Sequence, residues 1–309
     1  MNTQSNAMPE SPLGSQIIAP TVISETRRMY WSVRRELWES RSIYIAPLSV
    51  AGLILVGFLI STIHLPGKMR AALALTPMQQ HELIERPYNF AALLIMGTTF
   101  IVAVFYCLDA LHGERRDRSI LFWKSLPVSD LTTVLSKASI PLVVLPLVTF
   151  AVTVVTQWIM LLLSTVVLLG SGLSVVTLWT HLPLLHMWLM LLYHLVAIHA
   201  LWYAPIYGWL LLVSGWARRL AFLWAALPLL AIGVVEKIAF NTSHFAALLG
   251  YRMGGPERAA SPAGSMSMDS LTQLTPGQFL ISPGLWIGLA VTAAFLAAAV
   301  RLRRYREPI

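Results

Sequence analysis

Chemistry needs polar side chains at defined spacings, and in this sequence such residues gather in few places. The richest is Asp109 to Lys137, DALHGERRDRSILFWKSLPVSDLTTVLSK, lying between two long apolar runs. Its part from His112 to Ser119 has no strong apolar side chain and carries Glu114, Arg115, Arg116, Asp117 and Arg118, so it must face water or a polar partner. Ile120, Leu121, Phe122 and Trp123 follow. Pro127 then stops the run, because it lacks an N–H and biases the residue before it away from helix, and Ser129 or Asp130 can cap a helix restarting at Leu131. The spacing predicts helix, sharp turn, helix.

His186, His194 and His199 form a second polar group inside an apolar run. On an α-helix the first two lie about 80° apart and the last two about 140° apart, so neither pair has the i, i+4 spacing that presents two ligands to one metal. They read as interhelical hydrogen-bonding groups or as the lining of a polar route. No phosphate-cradling loop is present: Gly67-Lys68 precedes Met69 and lacks the upstream glycine. There are no paired carboxylates, nucleophile elbow or cysteine cluster, and Cys107 stands alone, without a partner for an internal disulfide. Glu236 and Lys237 read as a pair at a water boundary. The expectation is a chain that is not an enzyme and binds no metal or cofactor itself.

The elements that must position these residues are set by composition. Hydrophobic residues make up 57% and charged residues 12% of the 309, about half the charged share of a soluble domain, which points to an all-α integral membrane protein. The formal charge of +8 sits beside apolar runs, where anionic lipid headgroups would meet it, so it argues for a bilayer rather than nucleic acid.

Residues 1–23 are polar and read as a disordered tail without the pattern of a secretory signal, leaving 24–309 as one transmembrane domain. From Ser24 to Arg41 a helix would place Tyr30, Val33 and Leu37 on one stripe, with Glu25, Arg28, Arg35 and Glu39 opposite. Trp31 and Trp38 would sit at headgroup depth, which suits an amphipathic interfacial helix. Six spans follow at about 43–63, 90–108, 140–169, 184–213, 220–239 and 285–300. The third exceeds one crossing, and Pro141 and Pro146 in its first part suggest tilt or an interfacial first turn. The Ala-Leu-rich patch between the first two spans reads as a short surface helix, and 240–283 as a loop with a short helix at Ser270 to Leu274. Gly284 and Gly288 fit a small-xxx-small pattern for close helix approach, including contact between two copies.

Lys and Arg set the orientation. Putting both termini inside leaves only Lys68, Arg70, Arg86, Lys237, Arg252 and Arg258 outside, of 22 basic residues, so both termini are expected to be cytoplasmic.

The Asp109 to Lys137 segment also resembles the cytoplasmic loop between the second and third spans of the type 2 ABC transporter permease family, the membrane subunits of six-span ABC exporters. There an acidic and basic patch, a Ser or Thr, a short apolar run and a Pro-Val-Ser-like turn lead to a Lys at the next span. Glu114, Arg115, Arg118, Ser119, Leu126, Pro127, Val128, Ser129 and Lys137 match those positions, and the hydropathy from about Ser24 to Arg306 fits the family plan. Phe122-Trp123-Lys124 departs from it, where smaller aliphatics would be usual.

The resemblance implies a homodimeric permease in the inner (plasma) membrane, with two copies of a separate cytoplasmic ATPase subunit that holds ATP and Mg. It implies export of an amphipathic or lipid-like substrate. Glu114, Arg115, Arg116, Arg118, Ser119, Phe122, Trp123, Leu126 and Pro127 would then couple to the ATPase. His194, His199 and Tyr203 would line the route. Two rivals remain open, a membrane scaffold or assembly factor without transport and a stand-alone ion-coupled transporter. The latter should carry inverted repeats and intramembrane carboxylates, and almost every carboxylate here lies outside the apolar runs.

The orientation is tested by single cysteines in a Cys107-free background. Ser174→Cys and Ser265→Cys should react with an impermeant thiol reagent in intact cells, whereas Ser125→Cys should react only after lysis. Labelling of the Ser125 position from outside would reverse the topology.

Overall fold

Prolines and caps set where the helices of this apolar chain begin and bend. The computed structural model describes residues 24–72, 75–119, 128–254 and 276–305. Helix α1 spans Glu25–Glu39, and α2 (Ser42–Ser61) runs through a 3₁₀ turn at Thr62–His64 into α3 (Leu65–Ala72). Next come α4 (Pro77–Ala110), α5 (His112–Arg116) and α6 (Asp130–Ser139), which continues through a π-helical stretch, Ile140–Val144, into α7 (Leu145–Gly170). After α8 (Val176–His181), α9 (Leu184–His194) passes through a second π-helical stretch, Leu195–Trp202, to α10 (Ala204–Trp216). The remainder is α11 (Ala221–Phe240), α12 (His244–Gly254), α13 (Pro276–Ile281) and α14 (Pro283–Tyr305). No strand occurs among the described residues.

Six helical stretches are long and apolar enough to cross a membrane: Ser42–Ala71, Met78–Arg116, Asp130–Gly170, Leu178–Trp202, Ala221–Phe240 and Pro283–Tyr305. The all-helical, multi-span architecture therefore holds, with shifted boundaries. The second span begins well before residue 90, because Thr76 and Gln79 form a capping box around Pro77 and nucleate α4 there. In the third, Pro141 and Pro146 each remove one backbone donor, and the winding relaxes to π at Ile140–Val144 instead of breaking. The expected fourth span over 184–213 is divided. Its π-helical turn ends at a bend at Tyr203, Pro205 offers no N–H, and α10 restarts beyond the bend. The connection before it holds α8, and the segment after Phe240 holds α12; Ser270 to Leu274 lies outside the described residues.

Ile43, Cys107, Ile140, Leu145, Tyr207 and Leu211 anchor the largest buried apolar cluster, joining α2, α4, the third span and α10. A second cluster, with Met69, Ile84, Tyr88, Met160, Leu161 and Leu168, closes the opposite end of the bundle. Helix α10 lies along α14, close enough that a Cβ on Gly208 would sit 3.4 Å from both Phe295 Cβ and Thr292 Cγ2.

Gly284 and Gly288 admit a contact within the chain. The Arg252 guanidinium stacks 4.3 Å from the Trp202 ring centroid, and its Nη1 donates to the Gly284 carbonyl at 2.9 Å. A Cβ on Gly288 would fall 1.6 Å from Arg252 Nη2. The Trp202 indole returns a bond to the Arg252 carbonyl at 3.0 Å, so α12 is latched onto both the π-helical turn and α14. Glu236 holds the other end of α12, accepting from the backbone N–H groups of His244 and Phe245 at 2.6 and 2.8 Å.

Gly288→Ala should expel Arg252 from this seat. The variant should lose about 1 to 3 kcal/mol of stability, from one cation–π contact and one hydrogen bond. The same change in an Arg252→Ala background should cost far less. Equal losses in both backgrounds, read as unfolding midpoints in detergent, would mean that the latch contributes nothing.

Candidate functional site

The most polar part of the sequence folds inward. At one end of the bundle, Glu36 of α1, Glu114 of α5, Lys137 of α6 and Arg303 of α14 are each 5% exposed or less. Lys137 Nζ lies 3.0 Å from each carboxylate oxygen of Glu36 and 3.1 Å from Glu114 Oε1. Arg303 bridges Glu114 Oε2 at 3.1 Å and Asp130 Oδ1 at 2.8 Å. Arg35 pairs with both Glu36 and Glu114, and the Tyr106 hydroxyl donates to Glu36 Oε2 at 2.9 Å. Glu36, Glu114 and Asp130 thus meet Arg35, Lys137 and Arg303, and exposed Glu39 adds a longer contact of 3.8 Å to Arg35 at the rim.

Burying an ion costs several kcal/mol, which is offset only by close opposite charges and satisfied hydrogen bonds. Both conditions are met around Lys137. At Glu36, burial pushes the carboxyl pKa up, but Lys137 and Arg35 together outweigh it and hold the group below the ordinary carboxylate range. A cleft of about 460 Å³ opens beside the network, lined by Glu36, Glu39, Tyr106, Asp109, Glu114 and Lys137 among others.

Backbone contacts fix the same region to α10. Ser214 Oγ accepts from the N–H groups of Leu111 and His112, both at 2.9 Å, just where α4 gives way to α5. Arg115 Nη1 donates to the carbonyls of Gly215 at 2.9 Å and Ala217 at 3.2 Å. A cation thereby sits on unsatisfied carbonyls at a helix C-terminus, where the macrodipole favours it. On the far side, Ser129 caps α6 by accepting from the Thr132 N–H at 3.1 Å, which frees Asp130 for Arg303.

The segment expected to face a partner is therefore split. Glu114 and Arg115 are buried and engaged within the chain. Arg116 is exposed and pairs with Asp117 at 3.1 Å, Arg118 is exposed in the left-handed region at φ 57°, and half-buried Ser119 reaches the Glu114 carbonyl at 3.4 Å. Phe122, Trp123, Leu126 and Pro127 lie outside the described residues.

In α1, Val33 and Leu37 pack on the main core while Trp31 and Trp38 stay exposed, with Arg34 stacked 5.1 and 5.0 Å from their rings. Tyr30 leaves the expected stripe and is 59% exposed. Glu36 takes a place on the buried face, drawn by Lys137. The signal was a carboxylate directly beside Leu37 and one turn from Val33. Arg303 gave no such signal, since a run of arginines after a span has the same pattern whether one of them turns inward or not.

His199 is buried against Phe100 and Tyr203, at centroid distances of 5.7 and 5.8 Å, and His186 is exposed. Winding through Leu195–Trp202 is π-helical, so the α-helical angle between His194 and His199 does not apply. Neither nitrogen of His199 has a hydrogen-bond partner among the described residues, against the expectation of a satisfied interhelical histidine. Among the described residues no group of three His, Cys, Asp or Glu side chains could hold a metal ion. No family model matches the sequence, and no curated protein or solved structure matches the chain.

Two outcomes follow for the ion network. Lys137→Met removes the cation shared by two buried carboxylates, leaving only Arg35 and Arg303 to balance them with Asp130, and should destabilise the protein by about 3 to 5 kcal/mol. Glu36 has a depressed folded pKa, so its contribution is complete well above the ordinary glutamate value of about 4.3 and is lost as pH falls from there through the folded value. Glu36→Gln should therefore lower the unfolding midpoint at neutral pH, and its gap to the parent should close in acid. A gap independent of pH would remove Glu36 from the network.

Proposed function

We propose that this chain is the membrane-spanning subunit of an ABC-type exporter, with both termini cytoplasmic and α1 lying in the membrane interface. In this reading a separate ATPase subunit, in two copies, hydrolyses ATP and drives two copies of the permease to move an amphipathic or lipid-like substrate outward. The reading rests on the resemblance of the segment between the second and third spans and on the basic residues gathered at one face.

One observation carries it furthest. Both feet of that segment, α5 and α6, are tied by ion pairs to α1 and α14, and by Ser214 and Arg115 to the end of α10. Displacement of such a segment by a soluble partner must move those helices or break buried charge pairs, which is the requirement for coupling an external motor to a membrane bundle. An ordinary solvated loop has no need of this anchoring. Among the described residues the docking surface then narrows to the outward-facing Arg116 and Arg118, because Arg115 is committed to the bundle.

Purified alone, the chain should not hydrolyse ATP, and coexpression with its cognate ATPase should give a stable complex. Arg116→Glu with Arg118→Glu should weaken that complex at least tenfold, within the roughly 1.5 to 7 kcal/mol that close charge pairs across an interface contribute. ATP hydrolysis by the lone chain, or undiminished assembly of the double variant, would defeat the reading.

A further inference from the structure

At the end of the bundle opposite the ion network, α2 and α4 leave a groove of about 440 Å³ between them, within the size range of small-ligand sites. It is lined by Val50, Leu53, Ile54, Gly57, Phe58 and Ser61 from α2, by Pro87, Phe90 and Leu94 from α4, and by Met160 beneath. The Ser61 hydroxyl donates to the Phe58 carbonyl at 2.7 Å, so the lining is apolar in effect. Gly57 is exposed, and a Cβ there would meet nothing within 4 Å.

The dimensions suit one leaflet. From Val50 to Ser61 the helix rises roughly 16 Å at about 1.5 Å per residue, close to half of the roughly 30 Å hydrocarbon core. Ser61 and Pro87 mark its polar end. There Arg86 is exposed next to Pro87, and Met69 packs on Ile84 and Tyr88, which brings the exposed Lys68 and Arg70 of α3 to the same end. Of the acidic residues nearby, Glu85 is paired with His81 at 3.1 Å and Glu82 is exposed.

We infer that this groove is a phospholipid site: one acyl chain lies between α2 and α4, and the anionic headgroup is held by Arg86 with Lys68 and Arg70. An apolar channel that runs from a basic rim to mid-membrane matches a charged phosphodiester attached to a hydrocarbon chain. The inference needs membrane insertion only and does not depend on the transport reading.

Native mass spectrometry of the full chain, titrated with phosphatidylglycerol or phosphatidylcholine, tests it. The parent should retain one phosphatidylglycerol about tenfold more tightly than phosphatidylcholine. Gly57→Phe, which fills open space, should weaken both lipids about tenfold. Lys68→Gln with Arg70→Gln and Arg86→Gln should abolish the preference and leave phosphatidylcholine binding unchanged; these exposed changes keep the test open if Gly57→Phe misfolds. No preference in the parent, parental binding by Gly57→Phe, or a preference that survives the triple change would each overturn the site. So would a dimer that occupies the groove and dissociates on Gly57→Phe.

Discussion

Lys137 is an ammonium group removed from water and held between two carboxylates, and the arrangement of one whole end of the protein depends on it. A charge buried in this way persists only if every neighbour stays in place, since loss of one partner leaves an uncompensated ion in a low-dielectric site. Glu36 can reach Lys137 only if α1 packs against α6, and Glu114 only if α5 is held beside the end of α6. Arg303 extends the same logic to α14. Four helices distant in sequence are therefore registered against one another by charge, while the apolar cluster around Cys107 and Tyr207 supplies the packing behind them.

Much of this was legible in the sequence, for physical reasons. Apolar runs of span length have few alternatives, so six membrane-long helices followed from hydropathy alone. The capping role of Ser129 was also readable, because N-cap chemistry is local. The start of α4 lies before the apolar run, where the Thr76-Pro77-x-Gln79 signature marks it and hydropathy does not, because charged and amide side chains fill its first turns. The π-helical turns were not readable, since proline predicts a disturbance of the ladder but not whether it is absorbed by a kink or by wider winding.

The network itself shows where a one-dimensional reading stops. The segment from His112 to Ser119 is polar, and polarity alone does not say whether its partner is solvent, another protein or the same chain. Glu114 and Arg115 find theirs within the chain, Glu114 in Arg35, Lys137 and Arg303 and Arg115 in the carbonyls of Gly215 and Ala217, all on segments that only the folded bundle brings together. Gly288 carries the same lesson. Its lack of a Cβ predicts close approach, and the group that approaches is Arg252 of the same molecule.

If charge pairing joins the segment after the second span to the rest of this end of the bundle, Glu114 and Arg303 must be energetically coupled. A double-mutant cycle on Glu114 and Arg303, as Glu114→Gln, Arg303→Met and both together, tests it most directly when read as unfolding free energy at neutral pH. The account predicts that the double variant loses less than the sum of the singles, with a coupling of about 1 to 3 kcal/mol. Additive losses would contradict it.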